Sequence, residues 1–144
     1  MKPLFKKLNL THQKEIVVLQ APESFRPELD ALDGSVTVYT EPEQVRSTGF
    51  VLLFATRQKE LDALVPKMAG RLEGDGILWC CYPKKSSRNY TCDFNRDTGW
   101  SVLGDLGFEP VRQVAIDADW SALRFRKVQY IKQLTRSKTI SNRG

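Results

Sequence analysis

One histidine, His12, and three cysteines, Cys80, Cys81 and Cys92, are all that 144 residues offer of the side chains from which metal centres and nucleophilic triads are usually built. His12 lies in a polar stretch ahead of the first apolar run, away from where a Ser-His-Asp or Cys-His device would need it. Neighbouring strand residues point to opposite faces, so Cys80 and Cys81 neither bridge one another nor share a zinc ion. An odd cysteine count without paired spacing fits free thiols in a reducing cytoplasm. No apolar run approaches the roughly 20 residues of a membrane span. The start, MKPLFKKLNL, has lysines but no apolar segment of a secretory signal. The expectations are a cytoplasmic protein with no metal, no membrane contact and no catalytic residue that can be named.

Acid is missing from both ends. Residues 1–14 carry four lysines and residues 124–144 seven basic side chains, with no aspartate or glutamate in either segment. The body between them holds 11 basic against 17 acidic residues, a net of −6, although the whole chain is +5. A basic end can hold phosphates, which keeps nucleic-acid binding through the termini as an alternative. Few aromatics interleave with these charges, and a solvated end explains them as well.

What is present reads as an α/β order. Residues 15–20 (EIVVLQ), then Val36, Val38 and Tyr39, then 50–55 (FVLLFA), then 77–82 (ILWCCY) are strands, the last two apolar throughout and so buried on both faces. A short helix from Phe25 or Pro27 to Leu32 separates the first two. Leu61, Leu64, Val65, Met68 and Leu72 fall at helical spacing over 57–72, with Pro66 as a kink or a break. A further helix starts at Asp97 or Thr98 as N-cap and stops at Gly107. Phe108–Ile116 and Leu123–Val128 form a hairpin turned by Asp117-Ala118-Asp119-Trp120. The right-handed crossover rule makes the first four strands parallel. The fold class is therefore a three-layer Rossmann-like α/β sheet of four parallel strands plus a C-terminal antiparallel hairpin. Residues 1–128 are read as one such domain and 129–144 as a basic C-terminal tail.

A glycine-led strand after a helix, a second helix, and Gly107-Phe108 with Asp119-Trp120 across a terminal hairpin resemble the second half of the class I methyltransferase fold. APESF (21–25), LWCCYPKKSS (78–87) and DWSALRF (119–125) are similar to a family of small bacterial proteins of unknown function, over about residues 4–128. The resemblance implies a Rossmann-like fold and no particular activity. Working methyltransferases run their first strand into a glycine-rich turn; here that turn is Ala21-Pro22-Glu23-Ser24-Phe25. An acidic residue that would hold ribose hydroxyls is represented by Glu41, with Pro42 directly behind it. On that pattern the fold survives and no cofactor is expected.

Function then rests on the rim where strands leave the core, because open α/β sheets bind ligands outside the carboxyl ends of their strands. Glu23 and Ser24 end the first strand, Thr56 and Arg57 the third, and Lys84, Lys85, Ser86 and Ser87 the fourth. Glu23 could pair with a lysine across the crevice, or, with Ser24, cap the following helix. The lysines and serines could receive a phosphate or carboxylate, or face water. The leading expectation is a non-catalytic domain that binds a small anionic ligand or a protein partner on this rim; whether it is an enzyme is open, with the balance against. The alternative is a divergent transferase using a nucleotide-like cofactor such as S-adenosylmethionine, although fold is no argument for methyl transfer.

Overall fold

The computed structural model describes residues 3–131 apart from residue 33. Most of the basic tail expected at 129–144 lies outside the described residues; up to residue 131 it is a single 3-10 turn, Val128–Tyr130.

Helix α1 (Pro3–Lys7) precedes β1 (Glu15–Leu19), and a 3-10 turn (Glu23–Phe25) leads into α2 (Arg26–Asp30). Then come β2 (Thr37–Tyr39), β3 (Thr48–Phe54), α3 (Gln58–Ala69) and β4 (Leu72–Pro83). Helix α4 (Ser101–Asp105) and the hairpin β5 (Phe108–Ala115) and β6 (Trp120–Lys127) complete the order. One six-stranded sheet runs β2-β1-β3-β4-β6-β5. The first four strands are parallel, and β6 is antiparallel to both β4 and β5. The strand that runs against the others, β6, docks on β4, and β5 takes the outside edge.

The period-two alternation of the central strands divides the core into two. Val17, Leu19, Val51, Leu53, Leu78, Cys80 and Tyr82 face Leu61, Val65 and Met68 of α3 and Leu103 of α4. Ile16, Val18, Leu52, Phe54, Trp79 and Cys81 face Phe5 and Leu8 of the N-terminal segment and Phe25. Helices cover both faces, so the three layers read from the sequence are present. Cys80 and Cys81 are buried on opposite sides of the sheet.

Three local expectations change. Helix α1 is new: five residues are too short for a periodic signal, and its position comes from Trp79, whose indole Nε1 donates 2.8 Å to the Leu8 carbonyl. Helix α3 runs unbroken through Pro66. Asp97 and Thr98 are not caps of α4; their N–H groups donate to Asn95 Oδ1 at 2.8 and 3.2 Å, and the helix starts four residues after Asp97, at Ser101. Between them Gly99, at φ 96°, has no room for a side chain, since a Cβ would stand 2.7 Å from Phe94 Cβ.

Candidate functional site

Every parallel strand delivers its carboxyl end to the same edge of the sheet, and β1 and β3 are neighbours there, the point where strand order reverses. What fills that point is Gln20. Its backbone is left-handed (φ 59°), a conformation usually given to glycine. Its Nε2 donates to the Phe54 carbonyl at 2.9 Å and to Glu60 Oε2 at 3.2 Å. The other oxygen, Glu60 Oε1, accepts the N–H groups of Thr56 and Arg57 at 2.9 and 3.0 Å. Asp93 Oδ1 accepts the Gln58 N–H at 2.6 Å. The N-terminus of α3, which could have received an anion, is therefore satisfied from within the chain.

Two clefts open at this edge of the sheet. The smaller, of about 390 Å³, lies over β1 and β2. Its apolar wall is Leu29 of α2, Leu64 of α3 and Pro42; Glu23, Arg26, Thr40 and Glu41 line its mouth. Gln44 Oε1 accepts the N–H groups of Thr40 and Glu41 at 2.9 and 3.0 Å, which fixes the turn carrying Glu41. The larger cleft, of about 690 Å³, lies over the end of β4 between the 84–97 loop and the hairpin. Tyr82, Gln113 and Ser121 share its floor, with Gln113 Nε2 donating to the Tyr82 hydroxyl at 3.0 Å and to Ser121 Oγ at 3.3 Å. Lys84, Lys85 and Arg96 stand on its rim beside Asp93 and Asp97. Burial raises the Tyr82 and Cys92 pKa values, so both keep their protons at neutral pH.

The rim expected from the sequence is thus two clefts. Glu23 belongs to the smaller cleft; Lys84, Lys85 and Ser87 line the larger. Thr56 and Arg57 line neither, because Glu60 holds their backbone. Ser86 is exposed and outside both linings. The cap role for Glu23 and Ser24 gives way, since Pro22 and Phe25 occupy the cap positions and no side-chain cap bond forms at either. No ion pair joins Glu23 to a lysine among the described residues. Ser87 is a turn residue: its Oγ donates to Asp119 Oδ1 at 2.8 Å and accepts the Tyr90 N–H at 3.2 Å. Asn89 Nδ2 donates to the other oxygen of Asp119 at 3.0 Å, and these two bonds hold that carboxyl below the usual range.

Gln20, Tyr82, Gln113, Ser121 and Arg96 were missed. Tyr82 sits directly opposite Ser121 in the β4–β6 pairing. That pairing needs the strand order, which local patterning does not contain. Gln20 carried one signal: a polar residue closing the EIVVLQ strand.

No protein-family model and no curated protein matches the chain. Solved structures do. A SAM-dependent methyltransferase from Aquifex aeolicus superposes at a TM-score of 0.58 and 14% identity, over 85% of this chain and 87% of that one. Magnesium protoporphyrin IX methyltransferase from Synechocystis PCC 6803, with bound SAH, gives 0.57 and 12%, over 86% and 78%. The pyocyanin biosynthetic protein PhzM gives 0.55 and 13%, over 83% of this chain; the chain spans about half of PhzM's length, 52%. At such identities the likeness establishes the fold, a methyltransferase-like Rossmann sheet. It also corrects the leading functional expectation. The neighbours whose architecture the chain shares include SAM-dependent methyltransferases, which tells against a non-catalytic binding domain and favours the alternative over it.

Proposed function

We propose that this chain is a divergent group transferase that uses a nucleoside-bearing cofactor such as S-adenosylmethionine. The observation that carries the reading is the smaller cleft: it lies beside the reversal point of a methyltransferase-like sheet, with a carboxylate, Glu41, two residues after the end of β2. The residues fit the nucleoside half of such a cofactor. Glu41 would accept the ribose hydroxyls, and Leu29, Leu64 and Pro42 would receive the base. The remainder of the cofactor meets side chains rather than bare backbone, since Gln20, Glu23 and Arg26 line the cleft where methyltransferases have a glycine-rich turn. When bound, the cofactor supplies an electrophilic carbon to an acceptor nitrogen or oxygen; its sulfur keeps the electrons of the broken C–S bond and the acceptor's proton passes to solvent. The chain's own part is to orient the two partners and exclude water.

Three thiols free of disulfides support the cytoplasm as the working compartment. No helix among the described residues is long and apolar enough to cross a membrane.

The test is thermal unfolding of the full chain with S-adenosylmethionine and a panel of nucleotides. Ligand at about 100 times its dissociation constant should stabilise by roughly 2.7 kcal/mol, a rise on the order of 10 °C for a chain this size. Glu41→Ala should remove most of the rise. No shift with any member of the panel contradicts the reading.

A further inference from the structure

The larger cleft has a volume of about 690 Å³, within the range of pockets for small molecules. Its floor is a buried polar group of an uncommon kind. Tyr82 is 4% exposed, and its hydroxyl oxygen accepts a hydrogen bond from Gln113 Nε2. Ser121 hydrogen-bonds the same hydroxyl; one O–H is spent between the two groups, so the pair keeps one donor for the base of the cavity. Ser121, 5% exposed, is held by the same amide. Above the floor, Lys84, Lys85 and Arg96 make no ion pair among the described residues. The two carboxylates that line the cleft with them are Asp93 and Asp97, and one oxygen of Asp93 is taken by the Gln58 N–H. Apolar wall comes from Tyr90 and Phe94, each fixed by ring contacts: Tyr90 on Trp120 at 4.9 Å between centroids and Phe94 on Trp100 at 5.3 Å.

We propose that this cleft binds a small organic anion, a carboxylate or phosphate ester on an apolar body, with the Tyr82 hydroxyl donating to it from the floor and Lys84, Lys85 and Arg96 neutralising it at the rim. A neutral ligand would leave three unpaired cations against two carboxylates. A cation would meet an O–H donor on the floor and three like charges against two carboxylates at the rim. An anion satisfies both. Raised by burial, Tyr82 remains a neutral donor through physiological pH and does not itself become an anion that repels the ligand. As to role, the anion is the group acceptor, a statement that rests on the transferase reading; its binding does not.

Amide chemical shifts of the full chain, titrated separately with benzoate, phenyl phosphate and uncharged benzyl alcohol, decide this. At least one anion should move the amides of residues 82–97 together with those of 113 and 121, and benzyl alcohol should bind tenfold or more weakly. Replacing Lys84 and Lys85 by alanine should weaken the anion fivefold or more and leave benzyl alcohol unchanged. Tyr82→Phe, which keeps the ring and removes the donor, should weaken it threefold or more. Shifts scattered over the surface, or benzyl alcohol binding as tightly as benzoate, overturn the proposal. S-adenosylmethionine in the same spectra reports at residues 18–23 and 40–42. Anion shifts without cofactor shifts leave the binding site standing and remove the acceptor role; cofactor shifts without anion shifts overturn this proposal and leave the transferase reading standing.

Discussion

Gln20 stands directly before the turn that is glycine-rich in methyltransferases, and it adopts a left-handed backbone usually given to glycine, at φ 59°. A left-handed backbone costs a residue with a Cβ about 1–2 kcal/mol, and two side-chain hydrogen bonds of about 1 kcal/mol each offset it. Gln20→Ala keeps the strain and loses both bonds, so urea unfolding should show a loss of about 1–2 kcal/mol. Gln20→Gly loses the bonds but relieves the strain, and its stability should stay within about 1 kcal/mol of the parent. By opening the reversal point it should also tighten S-adenosylmethionine binding, measured by titration calorimetry. Asp119 carries the clearest pH dependence at the site. Its carboxyl is held low by Asn89 and Ser87, so the stability it contributes is present above its unfolded value of about 3.9 and is lost as pH falls through the lower folded value. Acid unfolding followed between about pH 5 and 2 should therefore be shallower in Asp119→Asn than in the parent.

Among elements, β4 does most to place the site. Its inner half pairs with β3 on one side and β6 on the other, and it ends at Pro83 so that Lys84 leaves the sheet with its N–H donating 2.7 Å to the Asp119 carbonyl. This strand was legible because an apolar run bounded by Gly76 and Pro83 has few other readings. The same holds for β1, β3 and α3. Helices α1 and α4 were not legible, α1 as an element and α4 in its start, for one physical reason: each is five residues long and positioned by tertiary contacts. For α1 the contact is Trp79, and Trp79→Phe should cost about 1–3 kcal/mol in urea unfolding by leaving the Leu8 carbonyl unpaired and a gap in the core. No change in stability would mean that α1 is not held by this bond.

At the scale of the molecule, strand and helix order were enough to read a three-layer Rossmann-like sheet, but not the strand order that decides which residues meet. Lys84 and Lys85 were found from their position after β4; Tyr82, Gln113 and Ser121 were not, because the β4–β6 and β5–β6 pairings bring them together across 39 residues of sequence, from 82 to 121. The rim was read as one site, and it is two clefts that share no lining residue. Two clefts suit a transferase, one for the donor and one for the acceptor, in a way that a single anion site did not suggest. In the proposed reading the cofactor lies in the cleft over β1 and β2. Calorimetric titration of S-adenosylmethionine into the full chain and into Glu41→Ala tests it most directly. Saturable one-to-one binding that weakens tenfold or more on loss of the carboxylate is the predicted result; no binding, or equal affinity in the two proteins, contradicts it.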